Sequence, residues 1–282
     1  MTSAIERDVS DPPERAPLLG GPVRQTVGNV ARNMVRPGYL EVMGAKLVSR
    51  VTDRRHASRS AAAVAWAETR AVQAGELAGR IDQDLWNEAV EFAHRLDVSA
   101  RPKLEALDED PGQGGGHTAL LYFLVRHRRP EIVVETGVAL GFSTAAILAA
   151  LHANGAGHVY SSDFPAFKLR DPERHIGIVV GDDLRDRWTV YLRGDRRNLA
   201  RILEEVGRID LFHYDSDKTY SGRKRVLRRV QPRLARDAVV VMDDVQDNLF
   251  FHDYAERDDC PYEIVDYDDK FLGIVGLSDT SG

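Results

Sequence analysis

The chain of 282 residues contains one cysteine, Cys260, so it can form no internal disulfide and fits a reducing compartment. It has no run of about 18 apolar residues, so no segment reads as a membrane span. Its first residues are charged and proline-containing and lack the apolar core of a signal peptide. An excess of positive charge is also missing. The formal net charge of -6 argues against a protein built mainly to hold DNA or RNA. Hydrophobic residues make up 43% and charged residues 29%, enough to bury a core. These features predict a cytoplasmic globular protein with neither nucleic acid nor membrane as partner.

Residues 1–28 carry Asp11-Pro-Pro13, Pro17 and Gly20-Gly-Pro22 without apolar periodicity and read as a flexible tail. Residues 29–110 read as a helical N-terminal extension. Leu40, Met43, Leu47 and Val51 recur at three- and four-residue steps. An alanine-rich stretch from Ser60 to Ile81 predicts a second helix. A third, Asp82 to Leu96, sets Leu85, Ala89, Phe92 and Leu96 on one face. Such an extension would be a substrate lid or a dimerisation arm, the latter making the protein a homo-oligomer. Arg101-Pro102 and the glycines at 112 and 114–116 mark a linker.

Residues 111–282 alternate short apolar runs with helical segments. The strands are 131–135, 158–162, 188–192, 209–214 and 238–242. The helices are 118–128, 143–153, 199–206 and 222–234. Nearly all-apolar strands alternating with helices predict a doubly wound, mainly parallel sheet covered on both faces. Two further strands, 262–267 and 271–277, are separated only by an acidic turn at Asp268-Asp269. Strands joined so tightly run antiparallel, because a parallel crossover needs a dozen or more residues. The expectation is a seven-stranded Rossmann-like α/β sheet ending in an antiparallel hairpin.

The first of these strands runs into Glu135-Thr-Gly137-Val-Ala-Leu-Gly141-Phe-Ser143. A glycine turn between strand and helix lets a ligand approach the backbone closely. Dinucleotide sites use G-x-G-x-x-G, and here the spacing is G-x-x-x-G. A carboxylate at Glu135 would repel a pyrophosphate and suit a ligand bearing an ammonium and a sulfonium. S-adenosylmethionine bears both. Asp163, after the second strand, can accept from two ribose hydroxyls. The plainer readings, Glu135 capping a turn and Asp163 solvated in a loop, stand beside these.

From Thr118 on, the chain resembles class I S-adenosylmethionine-dependent methyltransferases, nearest to a bacterial small-molecule O-methyltransferase-like group. The likeness rests on Leu120–Arg126, Val133–Ala139, Tyr160–Asp163, Gly194-Asp195, Ile209–Tyr220 and Val241–Val245. It implies that Glu135, Gly137, Gly141 and Ser143 line the methionine end of the cofactor. Asp163 would hold the ribose and Asp195 the adenine amino group, although Asp195 equally fits a helix N-cap. Asp215 would border the same cofactor.

Asp215, Asp243 and Asp244 follow two neighbouring strands, and three convergent carboxylates invite a hard divalent cation such as Mg2+. They match the metal-site positions of catechol-type O-methyltransferases, with aspartate replacing the usual asparagine. Lys218 stands where those enzymes carry a catalytic lysine. His213 is a second candidate base, on the same strand face as Asp215. Asn248, Phe250, Phe251 and His252 offer an acceptor-pocket wall, with core packing as the alternative for the phenylalanines. Arg223-Lys-Arg225, Arg228, Arg229 and Arg233 make a basic helix face, most simply a solvated one.

The predicted activity is therefore methyl transfer to a small-molecule hydroxyl, metal-assisted by the resemblance and in keeping with secondary metabolism. The rivals are a methyltransferase-like binding or structural protein, and an NAD-dependent oxidoreductase with an aberrant loop.

Overall fold

In a computed structural model, residues 29–30, 32–33, 39–53, 59–107, 117–166, 169–257, 261–267 and 270–277 are described. The expected N-terminal tail and the Asp268-Asp269 turn lie outside these residues. The helices are α1 (Tyr39–Thr52), α2 (Ser60–Glu68), α3 (Ala74–Glu105), α4 (Thr118–Arg128), α5 (Phe142–Asn154), α6 (Asp195–Glu205), α7 (Tyr220–Val230) and α8 (Phe250–Arg257). The strands are β1 (Ala71–Gln73), β2 (Ile132–Thr136), β3 (His158–Ser162), β4 (Trp188–Tyr191), β5 (Ile209–Tyr214), β6 (Leu234–Met242), β7 (Tyr262–Tyr267) and β8 (Lys270–Val275). No helix among the described residues is long and apolar enough to cross a membrane.

The sheet order is β1-β7-β8-β6-β5-β2-β3-β4. Strands β4, β3, β2, β5 and β6 run parallel, and β8 returns antiparallel between β6 and β7. Successive strand residues face opposite layers. Val133 and Leu211 join one core with α3, α4 and α5, whereas Val134, Phe212 and Tyr214 join a second on the other face. That two-sided burial is why these strands are nearly all apolar. Helices α4 and α5 are apolar almost all round because both lie inside the first core.

The sheet has eight strands rather than the expected seven. Ala71–Gln73 lies in the alanine-rich stretch read as helix, yet pairs in parallel with Ile264–Asp266 of β7. Covering the outer edge of β7 outweighs alanine's helix preference there. The expected break between two helices at 81/82 becomes a kink at Asp82 (φ -159°), whose carboxylate accepts from Leu85 N at 2.9 Å. Arg101-Pro102 interrupts nothing, since α3 runs on to Glu105. Helix α7 ends at Val230 rather than Leu234, shortly before Pro232, and β6 starts early, at Leu234. Residues 74–100 contribute Leu77, Ala89 and Leu96 to the same core as α4 and α5.

The antiparallel hairpin has a tight point at Gly273, paired with Met242 and Ile264. A Cβ there would lie 2.4–2.7 Å from ring atoms of Phe251, which is fully buried. We expect Gly273→Ala to lower unfolding stability by about 1–3 kcal/mol through overpacking. Chemical denaturation checks this, and an unchanged midpoint would contradict the close approach.

Candidate functional site

The chain leaves β2 in one direction along the sheet through β3 and β4, then returns to β5 on the other side of β2. Ligands of open α/β sheets lie beyond the carboxyl ends of the strands at such a reversal. A cavity of about 560 Å³ opens there, bordered by Gly137, Ala139, Asp163, Gly194, Asp195, Asp215, Lys218 and Asp244 among others. The turn after β2 is pinned on both sides. Gly137 N donates to Ser162 O at 2.8 Å, and Asp215 N donates to Thr136 O at 2.9 Å. Gly137 has φ +89°, and a Cβ on it would sit 2.2 Å from the Asp215 carbonyl oxygen. Only glycine lets the turn pass this close.

Asp163 shapes the turn as well as facing the cavity. Its carboxylate accepts from Val138 N at 3.2 Å, Ala139 N at 2.7 Å and Phe164 N at 2.6 Å. Asp195 begins α6, where Gly194 is the cap residue, so the expected alternative of a side-chain N-cap is not what forms. Its carboxylate accepts from Ser162 Oγ at 2.7 Å and Ser216 Oγ at 2.5 Å, tying the end of β3 to the turn after β5.

Glu135 does not border the cavity. It is fully buried and accepts from Ser143 Oγ and Thr144 Oγ1, each at 2.7 Å, and from Ser161 Oγ at 2.8 Å. Ser143 is thus turned toward Glu135, and Gly141 packs against Gly177; neither borders the cavity. His213 pairs with Glu135 in the β2–β5 register. It is buried, with Nδ1 3.5 Å from Glu135 Oε1 and Nε2 3.7 Å from Asp243 Oδ1. Burial pushes its pKa down, but the Asp243 and Glu135 carboxylates outweigh burial and raise it to about 9. Asp243 is held below the ordinary carboxylate value: burial opposes its ionisation and the His213 contact prevails. A charged, enclosed imidazolium at neutral pH is not a base within reach of an acceptor.

Lys218 does border the cavity. Its Nζ contacts the Asp215 carboxylate and lies 2.8 Å from Asp244 Oδ2. The three candidate metal ligands are therefore divided, with Lys218 between Asp215 and Asp244 and Asp243 turned to His213. Among the described residues no group of three or more His, Cys, Asp and Glu side chains is arranged to hold a metal ion. In this arrangement the donor set does not fit a divalent cation.

Arg223 belongs to the basic run, yet points inward and is fully buried. Its Nη2 donates to the carbonyls of Asp243 at 2.9 Å and Asp244 at 2.7 Å. This clamp holds the turn in which Asp244 takes a left-handed conformation (φ +52°). Asn248 donates from Nδ2 to Lys218 O at 2.8 Å, while Phe250 and Phe251 are core residues. Neither they nor His252 border the cavity, so the expected pocket wall is not there.

The cavity's remaining borders come from regions with little sequence pattern. Helix α1 supplies Glu41, Val42 and Ser49, and the segment after Asp163 supplies Phe164, Leu169 and Ile176. Asp53, just past α1, is buried and accepts from the first-turn amides of α7, Tyr220 N at 2.7 Å and Ser221 N at 3.2 Å. At the other end of α1, Glu41 pairs with Arg196 at 3.5 Å and Arg197 at 2.5 Å. Lys270 and Arg225 also reach the cavity. Nothing in the sequence alone ties these scattered residues to one site.

Residues 134–245 match the model of a methyltransferase domain family. No curated protein matches the chain significantly. A proposed caffeoyl-CoA O-methyltransferase from Staphylococcus aureus superposes with a TM-score of 0.51 at 12% identity, covering 67% of this chain and 98% of its own. That likeness establishes the fold. A methyltransferase from Geobacter sulfurreducens (TM-score 0.47, 22% identity) covers 66% of this chain and 87% of its own. An O-methyltransferase from Bacillus cereus, solved with S-adenosylhomocysteine (TM-score 0.47, 17% identity), covers 74% and 99%.

The buried imidazolium links stability to pH. Because the pKa of His213 is raised from 6.5 to about 9 on folding, its stabilisation is complete below about pH 6.5. It is lost as the pH climbs through about 9. Denaturation midpoints should therefore fall across that window, and His213→Gln should flatten the fall. An equal slope in both proteins would contradict the charged state of His213.

Proposed function

We propose that the chain is a class I S-adenosylmethionine-dependent methyltransferase and that the acceptor of its methyl group is a hydroxyl oxygen of a small molecule. The observation that carries this reading is one cavity with the Gly137 turn and Asp163 at one end and the Lys218–Asp244 pair at the other. Its volume of about 560 Å³ lies within the range of small-molecule sites. Asp163 and Asp195 place carboxylates near the Gly137 turn, which suits a ligand bearing an ammonium and a sulfonium.

S-adenosylmethionine, when bound, supplies an electrophilic methyl group on its sulfonium. Asp163 would accept from the ribose hydroxyls, and Gly137 and Ala139 would lie against the methionine portion. The Gly194-Asp195 turn would border the adenine. Glu135 and Ser143 act behind the turn by fixing its shape. Helix α1 serves as a roof over the cavity, the lid reading of the N-terminal region.

At the other end, Lys218 Nζ donates to the acceptor oxygen and orients it. An ammonium has no lone pair to take a proton, so the neighbouring Asp244 carboxylate receives the hydroxyl proton as the new bond to oxygen forms. No step runs through a divalent cation.

Calorimetry should show S-adenosylmethionine binding and no NAD binding; NAD binding alone would overturn the reading. Lys218→Ala should lower kcat roughly 10²-fold, the scale of a lost donor that orients and stabilises the reacting oxygen, with little change in cofactor affinity. Full turnover in that variant would remove Lys218 from the mechanism. Exhaustive chelation should leave turnover unchanged. Loss on chelation with recovery on added Mg2+ would restore the metal-assisted reading.

A further inference from the structure

The end of the cavity around Lys218 has an unusual chemistry, and the inference drawn from it rests on the methyltransferase reading above. The carboxyl ends of β5 and β6, the start of α7 and the tip of β8 supply Asp215, Asp217, Lys218, Arg225, Asp244 and Lys270. Three cations face three carboxylates, so the wall is charge-matched. An acceptor carrying a net charge would leave one of these groups without its partner.

The pairing within the wall is loose at its outer edge. Lys270 Nζ lies 3.8 Å from Asp244 Oδ1, and Arg225 Nη2 lies 3.9 Å from Asp217 Oδ2, beyond hydrogen-bond reach in both cases. Arg225 also reaches Ser49 Oγ at 3.4 Å. These ammonium and guanidinium groups therefore retain donors, and Asp217 Oδ2 retains lone pairs while its Oδ1 accepts from Thr219; Asp244 Oδ1 accepts only a long bond from Gln246 at 3.4 Å. A hydroxyl can donate to the carboxylate and accept from the cation in the same gap. A bare ring edge can do neither and would cover the pair without replacing its water.

Ring-stacking surface lies elsewhere. Phe164, which follows Asp163, brings an aromatic ring to the cavity and packs on Tyr39 with centroids 4.6 Å apart. Among the described residues, no aromatic side chain borders the cavity beside Lys218, Asp244 and Lys270. Flat phenolic acceptors are held by ring contacts, and here the ring contact is at the ribose-binding end.

We propose that the acceptor is an uncharged, polyhydroxylated, non-aromatic molecule of the sugar or cyclitol class, held by Arg225 and Lys270 with Asp217 and Asp244. One hydroxyl is presented to Lys218 and its neighbours grip the outer pairs. Arg225 and Lys270 are thus specificity-determining residues.

The test uses the full chain with S-adenosylmethionine carrying a labelled methyl group. Its acceptor panel comprises neutral methyl hexosides and inositols, catechol and caffeate, and hexose phosphates. We expect kcat/KM for at least one neutral polyol to exceed that of every phenol and every phosphate by 100-fold or more, on the scale of sites that hydrogen-bond a substrate hydroxyl. Transfer favouring catechol or a hexose phosphate overturns the inference. So does cofactor binding with no transfer to any polyol. Calorimetry on the same sample separates the two levels, because failure to bind S-adenosylmethionine strikes the methyltransferase reading itself. Lys270→Met and Arg225→Met should each raise KM for the preferred polyol at least tenfold and leave cofactor affinity within twofold. An unchanged KM in both variants would also overturn the assignment.

Discussion

A carboxylate enclosed in the middle of a parallel sheet is costly unless every lone pair finds a partner, and Glu135 meets that condition with three hydroxyl donors and a neighbouring imidazolium. Those partners come from three different elements. Ser143 and Thr144 begin α5, Ser161 lies on β3, and His213 lies on β5 beside β2. Satisfying one charge therefore fixes the first turn of α5 against two strands, and with it the path of residues 137–141. Trp188 extends the network by donating from Nε1 to Ser161 Oγ at 2.9 Å. The cavity inherits its shape from a charge it never touches.

Much of this architecture was legible in the sequence. Strands buried on both faces leave apolar runs, so β2 and the end of β6 lie where Ile132–Val134 and Ala238–Met242 run into acids. Strand β1 was not legible, because three residues cannot show a period and their pairing with β7 depends on residues some 190 positions later. The acid at Glu135 was read as facing the ligand. Its position matches the charge rule for a sulfonium cofactor, but the rule says nothing of which sheet face the side chain takes. Strand parity puts His213 and Asp215 on one face, yet only the β2–β5 register reveals that Glu135 stands opposite His213. A single sequence carries parity and not register.

The acids at the strand ends divide by partner. Glu135, fully buried, and Asp243, only partly exposed, flank His213. Asp163, Asp215 and Asp244 remain partly open and border the cavity. The metal expectation rested on Asp215, Asp243 and Asp244 following two neighbouring strands, two of them adjacent in the chain, and on the likeness to catechol-type sites. Both residues lie past the end of β6, Asp244 takes a left-handed conformation, and Arg223 holds both carbonyls of the turn, so the two side chains reach different partners. Adjacent acids are for that reason a weak sign of a shared ion.

The two ends of the cavity differ in how firmly they are held. At the Lys218 end, Arg223 grips two successive carbonyls, Asn248 grips the Lys218 carbonyl, and Thr219 caps α7 through Gly222 N at 3.0 Å. The two Arg223 bonds have a charged donor, and such bonds contribute about 1.5–3 kcal/mol each, while the Asn248 and Gly222 bonds are between neutral groups. The roof is anchored unequally. Asp53 is buried against two amides at the positive end of the α7 dipole, a favourable geometry for a carboxylate. The Glu41 pairs with Arg196 and Arg197 are exposed, and such pairs contribute roughly 0–1 kcal/mol. The side chains that would meet the reacting atoms thus rest on the rigid part of the fold. At the Glu41 end the roof is held as well by Tyr39, which is buried against Phe164 with centroids 4.6 Å apart.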